Sequence, residues 1–142
     1  MGSINMARVL LGGIAAGVVI NIGESILNLV LVGEQLEAQM ASMNLPVMGG
    51  ASIGVFVVMG FIVGIAMVWL YAAIRPRYGA GPKTALCAGS VVWFFAYLYS
   101  GIGMVVMGMF TASLMVVGVL WGLVELLAAA LVGAYLYQEP GT

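Results

Sequence analysis

Histidine is absent from this 142-residue chain, and cysteine occurs once, at Cys87. The usual ligands of zinc and haem are therefore missing, and there is no second thiol for a disulfide. Nucleophilic catalysis also loses its common groups, since it needs a histidine, a reactive cysteine or a serine beside a base. We expect a protein that is not an enzyme and that carries no cofactor.

Charge is scarce as well. Charged residues make up 6% of the chain and hydrophobic residues 64%, with a mean hydropathy of +1.20. A water-soluble domain of this size needs much more polar surface. The net charge of −1 and the lack of a basic patch exclude nucleic acid as a partner. The composition indicates one integral membrane domain, residues 1–142, whose first partner is the lipid bilayer.

Long apolar segments set the predicted architecture. A helix needs about 20 apolar residues to cross about 30 Å of hydrocarbon. Proline cannot continue the helical hydrogen-bond ladder, so Arg75-Pro76 is predicted to end the second segment, and Thr111 or Ser113 can cap the fourth. We predict an all-α, four-helix transmembrane bundle with spans at about 6–32, 51–74, 84–107 and 112–137.

The positions of the basic residues predict the orientation. They precede the first span or lie between the second and third: Arg8, Arg75, Arg77 and Lys83. The positive-inside rule then makes both termini cytoplasmic and the 33–50 loop external. Within that loop, the spacing of Leu36, Met40 and Met43 predicts either an extension of the first helix or a short amphipathic helix over 34–44.

The first span contains an unusual polar face. At about 100° per residue, its four polar side chains fall within an arc of roughly 100°. They are Asn21, Glu24, Ser25 and Asn28. A carboxylate inside hydrocarbon costs at least about 2.5 kcal/mol, so we expect Glu24 to face the bundle interior, a cavity or a partner.

A second carboxyl group, Glu125, lies near the middle of the fourth span, at a depth similar to that of Glu24. No lysine or arginine occurs at that depth. Three interpretations remain open: a hydrogen-bond network that fixes helix register, a proton or cation relay, and a polar contact to another subunit. If the two carboxyl groups touch, they should share a proton. Possible neighbours in the third span are Tyr97, Tyr99 and Ser100.

Small residues spaced four apart recur along the spans, where they let helix backbones approach closely. The pairs are Gly13 and Gly17, Gly60 and Gly64, and Gly118 and Gly122. They favour packing within the chain, and a seam between copies or docking to a larger complex stays open.

Methionine is abundant, with 11 in the chain. The predicted topology places several toward the external side, among them Met40, Met43, Met104 and Met107. Thioethers are soft ligands that select Cu(I), although methionine is also a flexible filler of apolar packing. An external Cu(I) site is the weakest of the functional hypotheses.

Three stretches carry a resemblance to known sequences: GIAAGVVINIGE at 13–24, LYAAIRPRYG at 70–79 and WGLVE at 121–125. With these, the chain resembles a family of small bacterial four-span membrane proteins that have no assigned activity. The resemblance implies a multi-pass protein of the bacterial inner membrane. The leading hypothesis is a non-enzymatic protein that acts by helix association, as a homo-oligomer or an accessory subunit. The alternative is a small proton- or cation-coupled transporter that uses Glu24 and Glu125.

Overall fold

The protein is an all-helical bundle in a computed structural model that describes residues 3–139, and no strand occurs within that range. Four helical stretches are long and apolar enough to cross a membrane. Their bounds are Met6–Leu31, Gly50–Tyr78, Pro82–Val106 and Ala112–Leu136. Each exceeds the roughly 20 residues that a span requires. The predicted fold class is confirmed, and the chain is a multi-pass membrane protein.

The first span has two parts. Helix α1 covers Met6–Ile26, and the Asn5 side chain caps it by accepting a hydrogen bond from the backbone N–H of Arg8 at 3.2 Å. A π-helical segment, π1, continues over Leu27–Leu31 and ends at Val32. A separate short helix, α2, follows at Gly33–Ser42 and overlaps the segment 34–44, where an amphipathic helix is one of the two predictions.

The second span, α3, covers Gly50–Tyr78 and is longer than predicted. The expected end at Arg75-Pro76 is wrong, because the helix continues through Pro76. A proline removes one hydrogen bond but its φ is helical, so a final turn can follow it. The helix ends at Gly79 instead. That glycine has a φ of +87°, in the region that glycine favours, and its N–H donates to the Arg75 carbonyl at 2.9 Å.

The third span is interrupted in the middle. It consists of α4 at Pro82–Trp93, a second π-helical segment, π2, at Phe94–Tyr99, and α5 at Ser100–Val106. A tight turn leads to α6, which covers Ala112–Leu136. Thr111 caps α6, since its side chain accepts a hydrogen bond from the Leu114 N–H at 3.4 Å. Of the two predicted caps for this helix, the structure uses Thr111.

Helix α1 packs against α3 and α6, α4 packs against the same two helices, and α3 and α6 also contact each other. Fully buried apolar side chains from α1, α3 and α6 form the main core. They include Val9, Met67, Val68 and Leu126. Glycines bring α1 and α3 into close contact: a Cβ at Gly64 would lie 2.5 Å from the Gly13 carbonyl oxygen. Such close backbone approach favours helix association in lipid.

The bundle is tightly closed at one end, which we call the basic end because it holds Arg8, Arg75, Arg77 and Lys83. There Tyr137 is 4% exposed and packs edge-on against Tyr71, with ring centroids 5.9 Å apart. The Arg75 guanidinium lies over the Tyr137 ring at 5.6 Å and pairs with Glu139 at 3.5 Å. The Tyr137 hydroxyl accepts a hydrogen bond from the Asn5 N–H. These contacts join the start of α1 to the ends of α3 and α6.

The opposite end, which we call the open end, is much looser. Every residue from 50 to 59, the first ten of α3, is exposed on the surface of the single chain. A smaller apolar cluster around Leu27, Val32 and Leu114 joins α1 to α6 there. Helix α3 therefore separates from the bundle toward its N-terminus.

Candidate functional site

The four polar side chains of the first span lie in two different places. Asn21 and Ser25 lie at a groove between α1 and α3, which Val18, Ile22, Ile26, Val57 and Phe61 also line. The Asn21 amide donates to the carbonyl oxygens of Gly17 at 2.9 Å and Val57 at 3.2 Å, and the Ser25 hydroxyl donates to the Asn21 carbonyl at 2.7 Å. These two residues satisfy backbone carbonyls. Glu24 and Asn28, the other two, lie at a different site.

The two carboxyl groups of the spans meet at Tyr97, on π2. The Tyr97 hydroxyl is hydrogen-bonded to Oε1 of Glu24 and lies 3.0 Å from Oε1 of Glu125. The Asn28 side-chain amide donates to Oε2 of Glu24 at 2.9 Å and to the Glu24 carbonyl at 2.8 Å. Three spans thus each contribute a protonatable group to one connected cluster, which we call the carboxyl site: Glu24, Asn28, Tyr97 and Glu125.

Glu125 is the deepest member of the carboxyl site, with 5% of its surface exposed. Its Oε2 atom is buried and has no hydrogen-bond partner among the described residues. That carboxyl group packs against Gly23, where any added Cβ would overlap it. Only glycine at position 23 leaves room for Glu125.

A tryptophan fixes this contact between α1 and α6. The Trp121 indole N–H donates to the Gly23 carbonyl at 3.1 Å. Trp121 is one helical turn before Glu125 and so shares its face of α6. Sequence reasoning missed Trp121 as a site residue, although its i, i+4 spacing from Glu125 is a usable signal.

Both π-helical segments lie at the carboxyl site. Asn28 is on π1 and Tyr97 is on π2. Short π-helical turns within α-helices are rare, and they occur frequently at functional sites. Tyr99 and Ser100, the other predicted neighbours, are exposed, and the Ser100 hydroxyl bonds to the carbonyls of Ala96 and Tyr97. Of the three predicted neighbours, Tyr97 alone reaches the carboxyl groups.

The carboxyl site contains two acidic side chains and no basic one. The chain has four basic residues, and all of them lie at the basic end. No positive side chain therefore accompanies Glu24 and Glu125. An ionised carboxyl group in an apolar interior is unfavourable without a charge partner, so a proton is the simplest means of neutralising one of them.

The predicted packing glycines occupy several contacts. Gly13, Gly17 and Gly64 lie between α1 and α3, and Gly60 lies against the Asn21 amide. Gly122 lies against the Tyr97 ring and leaves space for it, whereas a Cβ at Gly118 would have no atom within 4 Å. Five of the six therefore face neighbours within the chain, and Gly118 does not.

Met40 lies on α2 and Met43 directly follows that helix, and in the same way Met104 lies on α5 and Met107 directly follows it. Met40 and Met43 are half-buried, and Met104 and Met107 are 39% and 75% exposed. Within residues 3–139, no three histidine, cysteine, aspartate or glutamate side chains are grouped to hold a metal ion. Cu(I) binding by these methionines stays a prediction.

No protein-family model, no curated protein and no solved structure matches this chain. The resemblance to small bacterial four-span membrane proteins therefore also stays a prediction.

Proposed function

We propose that this protein is a small, non-enzymatic proton- or cation-coupled transporter of the bacterial inner membrane, with its exchangeable ion held by Glu24 and Glu125. One observation carries the proposal: the Tyr97 hydroxyl contacts both carboxyl groups. Ionisable residues inside membrane spans are rare and often mark proton relays and ion pathways. The Tyr97 hydroxyl therefore connects the two carboxyl groups by a single hydrogen-bonded path.

The degree of burial supports the same function. Glu125 is buried, whereas Glu24 is only partly buried. A site with one enclosed and one accessible carboxyl group can exchange an ion on the accessible side while it holds the ion on the enclosed side. The two π-helical segments supply irregular backbone beside it, of the kind that recurs at functional sites.

Transport is tested in liposomes that contain the purified protein and a pH-sensitive dye. Salts of sodium, potassium and several organic cations are added outside in turn, and the internal pH is followed. We expect at least one cation to change the internal pH with the wild-type protein, and Glu24→Gln and Glu125→Gln to abolish the change. Glu37→Gln, on exposed α2, is the matched control and should behave as wild type.

Two results would contradict the proposal that Glu24 and Glu125 hold the transported ion. One is amide variants that are folded and change the internal pH as the wild type does, since this is the behaviour of a network that only fixes helix register. The other is a wild-type protein that changes the internal pH no more than empty liposomes for every cation.

We propose a second function, association with other membrane chains as a homo-oligomer or an accessory subunit, on a different observation. Residues 50–59 of α3 are all exposed on the surface of the single chain over about 15 Å of helix, which is half of the roughly 30 Å hydrocarbon thickness. Gly50 and Gly54 in this stretch are open to close approach by another helix.

Association is tested by native mass spectrometry of the protein extracted gently from its own membrane. Masses of a closed homo-oligomer or of complexes with other polypeptides would support association, and Gly54→Leu should then reduce their abundance by blocking close approach. A bare monomer at all protein concentrations would contradict it.

A further inference from the structure

The number of protons in the carboxyl site can be counted from its hydrogen bonds. A tyrosine hydroxyl carries one proton and can accept further hydrogen bonds, whereas an ionised carboxylate can only accept. Tyr97 contacts Oε1 of Glu24 and Oε1 of Glu125. Since Tyr97 can donate to only one of them, the other carboxyl group must itself be protonated and donate to the tyrosine oxygen. The contacts of Tyr97 therefore require at least one proton on the two carboxyl groups.

The surroundings of the two groups decide which one holds that proton. Oε2 of Glu24 accepts a hydrogen bond from the Asn28 amide at 2.9 Å, as suits an ionised carboxylate. Oε2 of Glu125 is buried and accepts no hydrogen bond among the described residues, since the nearby Trp121 indole N–H donates to the Gly23 carbonyl. An ionised oxygen is much more costly to leave without a donor than a neutral one. Glu125 is also the more deeply buried of the two.

We infer that the carboxyl site holds one exchangeable proton, that this proton resides on Glu125, and that Glu24 is the ionised partner. Hydrogen bonds then run in one direction, from the Glu125 carboxyl to the Tyr97 oxygen and from the Tyr97 hydroxyl to Glu24. The inference deepens the proposed transport function and rests on it for its physiological role.

This arrangement also defines the internal transfer step. The O–H bond of Glu125 breaks as its proton forms a bond to the Tyr97 oxygen, and the original Tyr97 O–H bond breaks as that proton moves to Glu24. Glu125 ends ionised, Glu24 ends neutral and Tyr97 is unchanged. The total charge is conserved, and no other reactant is needed. Tyr97 acts as the relay that moves the site of protonation from α6 to α1.

The sequence allows each carboxyl group to be observed alone in the wild-type protein. Glu125-Leu126 is the only Glu-Leu pair in the chain, and Glu24-Ser25 is the only Glu-Ser pair. Solid-state NMR in lipid bilayers, with ¹³C-glutamate and ¹⁵N-leucine, therefore selects Glu125 through the peptide bond. Labelling with ¹³C-glutamate and ¹⁵N-serine selects Glu24. The side-chain carboxyl shift then reports whether each group is neutral or ionised.

At neutral pH, we expect the Glu125 carboxyl carbon at the shift of a neutral acid and that of Glu24 at the shift of a carboxylate. Tyr97→Phe should move the Glu125 signal, because its acceptor is lost. The reverse assignment, two ionised groups or two neutral groups would each overturn the inference. The shifts need no transport to be read. Expected shifts without any flux would therefore refute transport alone, and flux with the reverse shifts would refute only the proton assignment.

Discussion

Gly64→Ala tests the closest contact between α1 and α3. A Cβ at position 64 would lie 2.5 Å from the Gly13 carbonyl oxygen and 2.6 Å from the Gly17 nitrogen. Both are backbone atoms of α1, so no side chain can rotate to relieve the overlap. The two helices must move apart, which disturbs the packing of Met67 and Val68 one turn away. We expect a clear loss of stability from one methyl group.

The magnitude follows from a comparison with Gly54→Ala on the same helix. A Cβ at position 54 would meet no atom within 4 Å. Replacing glycine by alanine gains about 0.5–1 kcal/mol of helix propensity at either position, so this gain cancels between the variants. Overpacking costs typically about 1–3 kcal/mol. Gly64→Ala should therefore be less stable than Gly54→Ala by about 1–3 kcal/mol.

The assay is reversible unfolding in mixed micelles with increasing sodium dodecyl sulfate, followed by tryptophan fluorescence. Gly54→Ala is expected at or slightly above the wild-type midpoint, and Gly64→Ala clearly below it. Equal midpoints for the two alanine variants would refute the reasoning, because they would show that α1 and α3 do not cross in close backbone contact at Gly64.

Two further predictions use the same unfolding assay. Trp121→Phe removes the indole donor to the Gly23 carbonyl, so we expect a loss of about 1 kcal/mol. An unchanged midpoint would show that this hydrogen bond does not stabilise the α1–α6 contact. At the basic end, burial raises the pKa of Tyr137. The Tyr137 hydroxyl therefore loses its proton at a lower pH in the unfolded chain, near pH about 10, than in the folded chain. The contribution of this group to the free energy of unfolding is full below that pH and declines above it. Tyr137→Phe should make stability less dependent on pH above about 10. The same slope in wild type and variant would contradict this.

The number and approximate placement of the spans could be predicted because hydrocarbon thickness sets the length of each apolar run. The end of α3 could not. The rule that proline ends a helix takes no account of the final turn, where Pro76 loses a single bond and Gly79 supplies the actual stop. This end is marked by Gly79, two residues after Arg77, because that glycine adopts a positive φ.

The carboxyl site could be predicted only in part. Residue counts give similar depths for Glu24 and Glu125, but whether they meet depends on the rotation of each helix about its own axis. That rotation is set by packing, for example by the Trp121 bond to Gly23. It is also altered by π-helical turns, which change the direction of every following side chain and have no clear sequence signature. For this reason Tyr97 could not be separated from its neighbours beforehand.

Because the bundle is tightly packed at the basic end and loose at the open end, α3 can pivot about its contact with α1. Its tight contact with α1 at Gly64 lies 14 residues from Gly50, a length of about 21 Å at 1.5 Å per residue. A tilt of about 10° about that contact would displace Gly50 by about 4 Å over this length, and it would also strain the hydrogen bond from the Asn21 amide to the Val57 carbonyl. The groove beside Asn21 and Ser25 lies along the same arm. The width of this groove therefore depends on the contact that Gly64 makes with Gly13 and Gly17.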